Sequence, residues 1–543
     1  MLRRRKVVVL SGFATLAFFV ALKAKGHAQN GAPVRFPIVR DWSHRYLVYG
    51  NGSFRAPTPS RLERDPRLIM AWLQRSLIGA LGQGLPPARR SGRRDGAGVK
   101  RDWAVSLGDG VLTPGPAEAY PAMYGGDIAR GDCANDFVVF GINAKPATNQ
   151  ANIAAFYNLY DNCRSGPVPQ VLWAYRVGTG PVRTSPVLSL NGQEVAFVEN
   201  SANGAAFHVL SWARGQGSIA QPAVPVNGSA LRTLTYSRAP STRSSPFVDY
   251  WNNVAFVGAD DGILYAIGPV FGTSQPLAIK AAVTASSGRI LTSPVMDPGA
   301  NRVFVSDGNT LYCYSYDGSF RLQGSYSTGA AGTEAAQDAA LVDVDRQRIF
   351  WFTNAGSETA LVIETDYNCG AVKTAFIARN SDTVLRAGAF DNKHYELGGR
   401  GGQLLLCGMR DNMSGHPALY AFEFDAQGSW NTTPRYVIRL ANKTGSCSPL
   451  TSFMSGGQDR LFFGFSGTNE VQMWHLPITE TSWGPSARAP GYAGGSGGIT
   501  VDNRSADPAR NNIYFQTLEP SPACAQNGVP KVCAVKLSQS ALE

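Results

Sequence analysis

Residues Ser244–Ile267 read SSPFVDYWNNVAFVGADDGILYAI, and this stretch decides the fold. Small residues and a proline lead into the short apolar run Phe247-Val248. The chain turns through Tyr250–Asn253 and alternates again over Val254–Gly258. A second turn at Asp260-Asp261-Gly262 leads into Ile263–Ile267. Asp-Gly is the dipeptide a tight hairpin needs, because glycine accepts positive φ without steric cost. The stretch is therefore three short strands joined by two tight turns.

The same order recurs along the chain. TSPVLSLNGQEVAFVEN begins at Thr184, TSPVMDPGANRVFVSDGNTLYCY at Thr292 and CSPLTSFMSGGQDRLFFGF at Cys447, with a weaker copy, DAALVDVDRQRIFWFTN, at Asp338. Between copies lies one more strand, such as VLWAYRVG at Val171–Gly178. Four strands in roughly 46–60 residues is the sequence mark of a propeller blade. Degenerate copies extend the series: Ala119–Gly125 opens a first blade, Leu385–Tyr395 a sixth and Gly494–Asn503 an eighth. The expected fold is an all-β propeller of about eight four-stranded blades, with seven as the runner-up. WAVSLG at Trp103–Gly108 is placed to supply the outer strand of the last blade, which would close the ring and remove its open edges.

These S-P-V, V-x-V and G-x-L-Y-A-I patterns resemble the quinoprotein-like superfamily of eight-bladed propellers, over about Ala119 to Leu537. Its better-known members oxidise alcohols with pyrroloquinoline quinone; the nearest likeness here is to secreted bacterial members of undescribed activity. The enzymes' repeated A-x-D-x-x-T-G-x-x-x-W motif has no copy in this chain, and no two cysteines are adjacent. The resemblance thus implies the fold and argues against a quinone cofactor. The chain is also similar to the outer-membrane assembly propeller lipoproteins of Gram-negative bacteria, which are scaffolds. The lipid-bearing cysteine of that family is missing, since the first cysteine is Cys133.

Composition agrees with many short strands: 44% hydrophobic, 16% charged, 59 Gly and 33 Pro in 543 residues. MLRRRK precedes an apolar run from Val7 to Leu22, and Gly26-His27-Ala28 offers a small-x-small cleavage pattern. Residues 1–28 are read as a signal peptide, and the product as exported, periplasmic or extracellular, with no stable membrane insertion after cleavage. The formal charge of +11 is concentrated outside the repeats. Arg3, Arg4, Arg5, Lys6, Lys23 and Lys25 leave with the signal. Residues 89–101 carry six more basic groups against the single acid Asp95. The repeats are close to neutral, which excludes a nucleic-acid-binding face.

Eight cysteines beyond a signal peptide imply disulfides. The pairs expected are Cys133-Cys163, Cys313-Cys369, Cys407-Cys447 and Cys524-Cys533. The chain divides into the signal peptide 1–28, an N-terminal extension 29–102 and the propeller 103–543. The extension holds an extended arm, one amphipathic helix at about 66–82 and a basic linker at 84–101. Asp65-Pro66 caps the helix, and Ile69, Trp72, Leu73, Leu77, Ala80 and Leu81 form its apolar stripe. Asp41–Tyr46, reading DWSHRY, is the densest polar-aromatic cluster outside the repeats. It either pins the arm to the propeller or lines a binding mouth.

No catalytic, cofactor or metal residues are assigned. Gly494–Gly498 matches G-x-S-x-G, but no histidine follows Ser496, so it reads as a turn. His44, His208, His394, His416 and His475 lack ligand spacing and are expected as surface or hydrogen-bonded strand residues. Arg183, Arg243 and Arg386 recur just before inner strands and are the candidate ligand rim. The reading is a monomeric, exported binding or scaffolding propeller for a protein or glycan ligand. The alternative is a propeller enzyme, either a quinone-dependent oxidoreductase or a glycan lyase or hydrolase, with its site at the channel mouth.

Overall fold

Every copy of the repeat folds into one sheet whose S-P-V-type segment is the innermost strand. The computed structural model describes residues 37–538 except 52, 54–64, 73–101, 110–117, 129–130, 161–162, 164–165, 330–337, 356–358, 380–384, 411–412, 441–443, 456–457, 483 and 504–510. Blade 3 is representative: Phe247–Asp249, Val254–Gly258, Ile263–Gly268 and Ala278–Thr284 lie side by side in antiparallel order. Innermost strands of the other blades begin at Ala122, Val187, Val295, Leu341, Ala389, Thr451 and Thr500. Eight blades are present, which decides against seven.

Burial follows position within the blade. Phe247–Asp249 and Val254–Gly258 are buried throughout because neighbouring blades cover both faces. Ala278–Thr284, at the outer edge, is exposed except at the half-buried Ala281 and Val283. Trp173, Trp351, Trp474, Phe197 and Phe207 fill the space between sheets. Hairpins turn on residues that tolerate left-handed backbone, as at Asn253 (φ 55°) and Gly262 (φ 77°).

The small residues before each inner strand tie blade to blade. Tyr120 N donates to Ser185 Oγ at 2.9 Å, Ser185 N to Ser245 Oγ at 2.8 Å, and Ser245 N to Ser293 Oγ at 2.8 Å. A larger side chain would hold the inner strands too far apart for these bonds.

Blade 8 closes the ring. Its order is Trp103–Ser106, Cys533–Ser538, Asn511–Gln516 and Thr500–Asn503, so a strand from before the repeats is its outer edge. A two-stranded hairpin, Ser521–Gln526 with Val529–Lys531, is inserted beside it. Four disulfides join Cys133 to Cys163, Cys313 to Cys369, Cys407 to Cys447 and Cys524 to Cys533. Cys313 lies in the third strand of blade 4 and Cys369 beyond the third strand of blade 5, so this bond crosses between blades.

Two local expectations, the extended arm (including Arg45–Gly50) and the sixth-blade strand, differ in detail. Arg45–Gly50 is not continuously extended: Ser43–Tyr46 makes one helical turn before the strand Leu47–Val48. Within Leu385–Tyr395, only Ala389–Phe390 is strand. Asn392–Glu396 is helical, because the Asp391 side chain caps it by accepting from His394 N at 2.9 Å. The helix expected at 66–82 is present over 66–72; its remainder and the basic linker at 84–101 lie outside the described residues.

Candidate functional site: a channel spanned by its own arm

The arm runs across the ring from blade 1 to blade 5, which face each other in an eight-bladed circle. Ile38–Arg40 pairs antiparallel with the inner strand of blade 1, Val39 opposite Tyr124. Leu47–Val48 pairs parallel with the inner strand of blade 5, Leu47 opposite Val342. Edge backbone that would otherwise face the channel is thereby satisfied at two opposite points.

Between these contacts DWSHRY commits its side chains to the blades. Trp42 Nε1 donates to the Pro246 carbonyl of blade 3 at 3.0 Å. Arg45 donates through Nη2 to the Gly388 carbonyl of blade 6 at 2.7 Å, and its guanidinium lies 4.9 Å from the Tyr46 ring centroid. Arg40 donates to the Val501 carbonyl of blade 8. The Tyr46 hydroxyl donates to Asp338 of blade 5, whose other carboxylate oxygen accepts from Ala387 N of blade 6 at 3.0 Å. Burial and the Asp338 charge push the Tyr46 hydroxyl well above its ordinary pKa, so it stays a donor.

The capped helix start completes the seat. The fully buried Arg67 donates to Ser43 Oγ at 2.9 Å and to the Val248 carbonyl at 2.8 Å, beside Asp65 and 4.3 Å from the Phe247 ring centroid. Burial works against the Asp41 carboxylate, but His44, Arg67 and Ser43 outweigh it and hold its pKa below the ordinary value. A cavity of about 220 Å³ remains between the arm and blades 6–8, lined by Arg40, His44, Arg45, Phe453, Asp459 and Val501 among others.

The three arginines read as a rim sit at the starts of inner strands, among acids. Arg386 Nε is 3.8 Å from the Glu118 carboxylate, and Arg243 also acts on Glu118. Arg183 and Arg243 both act on Asp260, and Arg183 Nε donates to Asn143 Oδ1 at 2.9 Å. Burial raises the pKa of Glu118 and of Asp260, with the arginines opposing it. The rim carries both signs of charge. His394 packs on Phe390 at 4.0 Å with Nε2 on Asp343 Oδ2 at 3.0 Å, a buried hydrogen-bonded residue. Among the described residues no group of three or more His, Cys, Asp or Glu is arranged to hold a metal ion.

The route of the arm was not legible in its sequence. A short polar-aromatic segment has no period of its own, and its partners lie up to 461 residues away.

No protein-family model matches the sequence, and no curated protein matches it. Solved structures similar to it include Sqt1 from Chaetomium thermophilum, at 12% identity and a TM-score of 0.46, covering 80% of this chain and 96% of that one. Sqt1 from Saccharomyces cerevisiae has 10% identity and a TM-score of 0.47, covering 81% and 98%. BamB from Moraxella catarrhalis has 14% identity and a TM-score of 0.32, covering 63% and 93%.

Proposed function

We propose that this chain is an exported, monomeric binding propeller that holds a protein or glycan partner on the loops linking its blades. The observation that carries this reading is the arm: the protein's own backbone and side chains occupy the channel where many propellers receive a ligand. Binding then falls to the loop face, and Arg183, Arg243 and Arg386 with Glu118 and Asp260 would give a partner paired charges to match. Four disulfides support an oxidising, exported compartment. No described helix is long and apolar enough to cross a membrane.

The test is site-specific photo-crosslinking of the exported protein in the producing cell. Probes replacing Arg183 and Arg243 are expected to give one discrete adduct, whereas a probe at the buried Leu47 gives none. Arg386 is left in place because removing it would strand the buried Glu118. Absence of any rim adduct overturns the reading. So does stoichiometric uptake of pyrroloquinoline quinone with dye-linked alcohol oxidation, which would instead favour the enzyme alternative.

A further inference from the structure

Blade 2 carries a chain of three polar side chains that partner binding does not use. His208, in the strand Gly204–Ser211, lies opposite Thr233 of Leu231–Ser237. Glu199, in Glu194–Ser201, lies opposite Ala206, two residues from His208. Side chains two apart share a face, so all three project from one side of the sheet. His208 Nε2 is 2.9 Å from Glu199 Oε2, and Nδ1 is 2.9 Å from Thr233 Oγ1.

The acid end of the chain is built with care for its charge. Glu199 Oε1 accepts from the N–H groups of Thr179 and Gly180, each at 2.6 Å. Gly178 brings that loop in at φ +63°, where an added Cβ would fall 1.9 Å from Glu199 Oε2. Burial opposes the charge, but His208 and the two backbone donors lower the Glu199 pKa below its ordinary value. An ionised carboxylate only accepts, so His208 carries its proton on Nε2. In the neutral ring Nδ1 then keeps its lone pair facing Thr233 Oγ1, where it can accept the hydroxyl proton.

That is the polarity of a hydroxyl activated by an oriented base, with the two ring nitrogens exchanged relative to the usual arrangement. His394 makes the contrast: its Nδ1 faces the Gly401 carbonyl at 3.2 Å, with no hydroxyl to activate. Thr233 is exposed, whereas His208 and Glu199 are buried. The row lines a cavity of about 580 Å³, together with Thr179, Asn203, Ser274 and Leu277. This is within the size range of small-molecule sites.

We propose that Thr233 is a nucleophile and that this groove between blades 2 and 3 transfers acyl groups from small carboxylic esters. Thr233 Oγ1 bonds to the ester carbonyl carbon while its proton passes to His208 Nδ1. The acyl–oxygen bond to the leaving alcohol breaks, and His208 returns the proton to that oxygen. Water then attacks the acyl carbon, again losing a proton to Nδ1, and Thr233 recovers its hydroxyl as the carboxylic acid departs. The site is separate from the channel and rim, so it stands or falls independently of partner binding.

The test uses the full-length oxidised protein and p-nitrophenyl acetate, read by intact mass, peptide mapping and nitrophenolate release. One acetyl group at Thr233 is expected, retained in Thr233→Ser and absent in Thr233→Val. Thr233→Val keeps the shape of an exposed side chain and loses one hydrogen bond to His208, so it should fold with a melting temperature only slightly below wild type. Glu199→Gln turns an amide N–H toward His208 Nε2, which moves the ring proton to Nδ1. Acylation should then fall at least about tenfold without loss of Thr233, an effect a purely structural role would not produce. Wild type with neither an adduct nor nitrophenolate release above that of Thr233→Val, acetylation confined to lysines, or an equal adduct in Thr233→Val would each overturn the proposal. If Glu199→Gln does not fold, the Val and Ser pair decides alone.

Discussion

At the scale of single residues, the arm holds charges that burial would otherwise forbid, and Asp41 is the clearest case. Its folded pKa is depressed, so the unfolded chain takes up the proton first as pH falls. The stability it contributes is therefore present above the ordinary aspartate value of about 3.8 and is lost as pH drops from there toward the folded value. Asp41→Asn should cost about 2 kcal/mol at neutral pH, the scale of hydrogen bonds to a charged group. In acid, below the folded pKa, the variant and wild type should melt together. Thermal unfolding across a pH series checks both, and a gap that persists unchanged into acid would assign the loss to packing instead of charge.

At the scale of elements, the legible copies and the faint ones differ for a physical reason. Blades 2, 3, 4 and 7 keep Ser-Pro before the inner strand, and in blades 2, 3 and 4 that serine accepts from the neighbouring blade. Blade 5 has Asp338-Ala339-Ala340 there, and Asp338 takes the hydroxyl of Tyr46. Blade 6 has Arg386-Ala387-Gly388, with the Gly388 carbonyl serving Arg45. The repeat weakens where the arm has taken over the contact, so blade count was readable and the arm's seat was not. Register within blades followed from alternation; the blade 2 relay stayed hidden because its members are 9 and 25 residues from His208. The disulfides belong at this scale as well. Denaturing alkylation of the exported protein should label none of the eight cysteines. Replacing Cys313 and Cys369 by serine should lower stability by roughly 4 kcal/mol, the loop-entropy scale for a link across 56 residues. Chemical denaturation measures it; no loss would mean that packing alone holds blades 4 and 5 together.

At the scale of the whole molecule, the ring is held by both ends of its chain. Trp103–Ser106 completes blade 8, and the arm before it lies across the channel. The expected linker at 84–101 connects the two and carries six basic residues. Trypsin should cut there first and leave a resistant fragment beginning near Trp103. Because the arm is bonded to blades 1, 3, 5 and 6, its fragment should stay with the ring on native size exclusion and separate only on denaturation. Early cuts throughout the repeats, or a ring that elutes without its arm, would contradict this. The same feature bears on biogenesis. Arg40 needs the Val501 carbonyl, so the first seated segment to be synthesised waits for almost the last. Until blades 3 and 5 have folded, Trp42, Tyr46, Leu47 and Val48 lack the surfaces that bury them, and they form a sticky leading end for a chaperone to hold. A chain truncated before blade 8 would keep the seats on blades 1, 3, 5 and 6 but leave Arg40 without its Val501 carbonyl and the ring open.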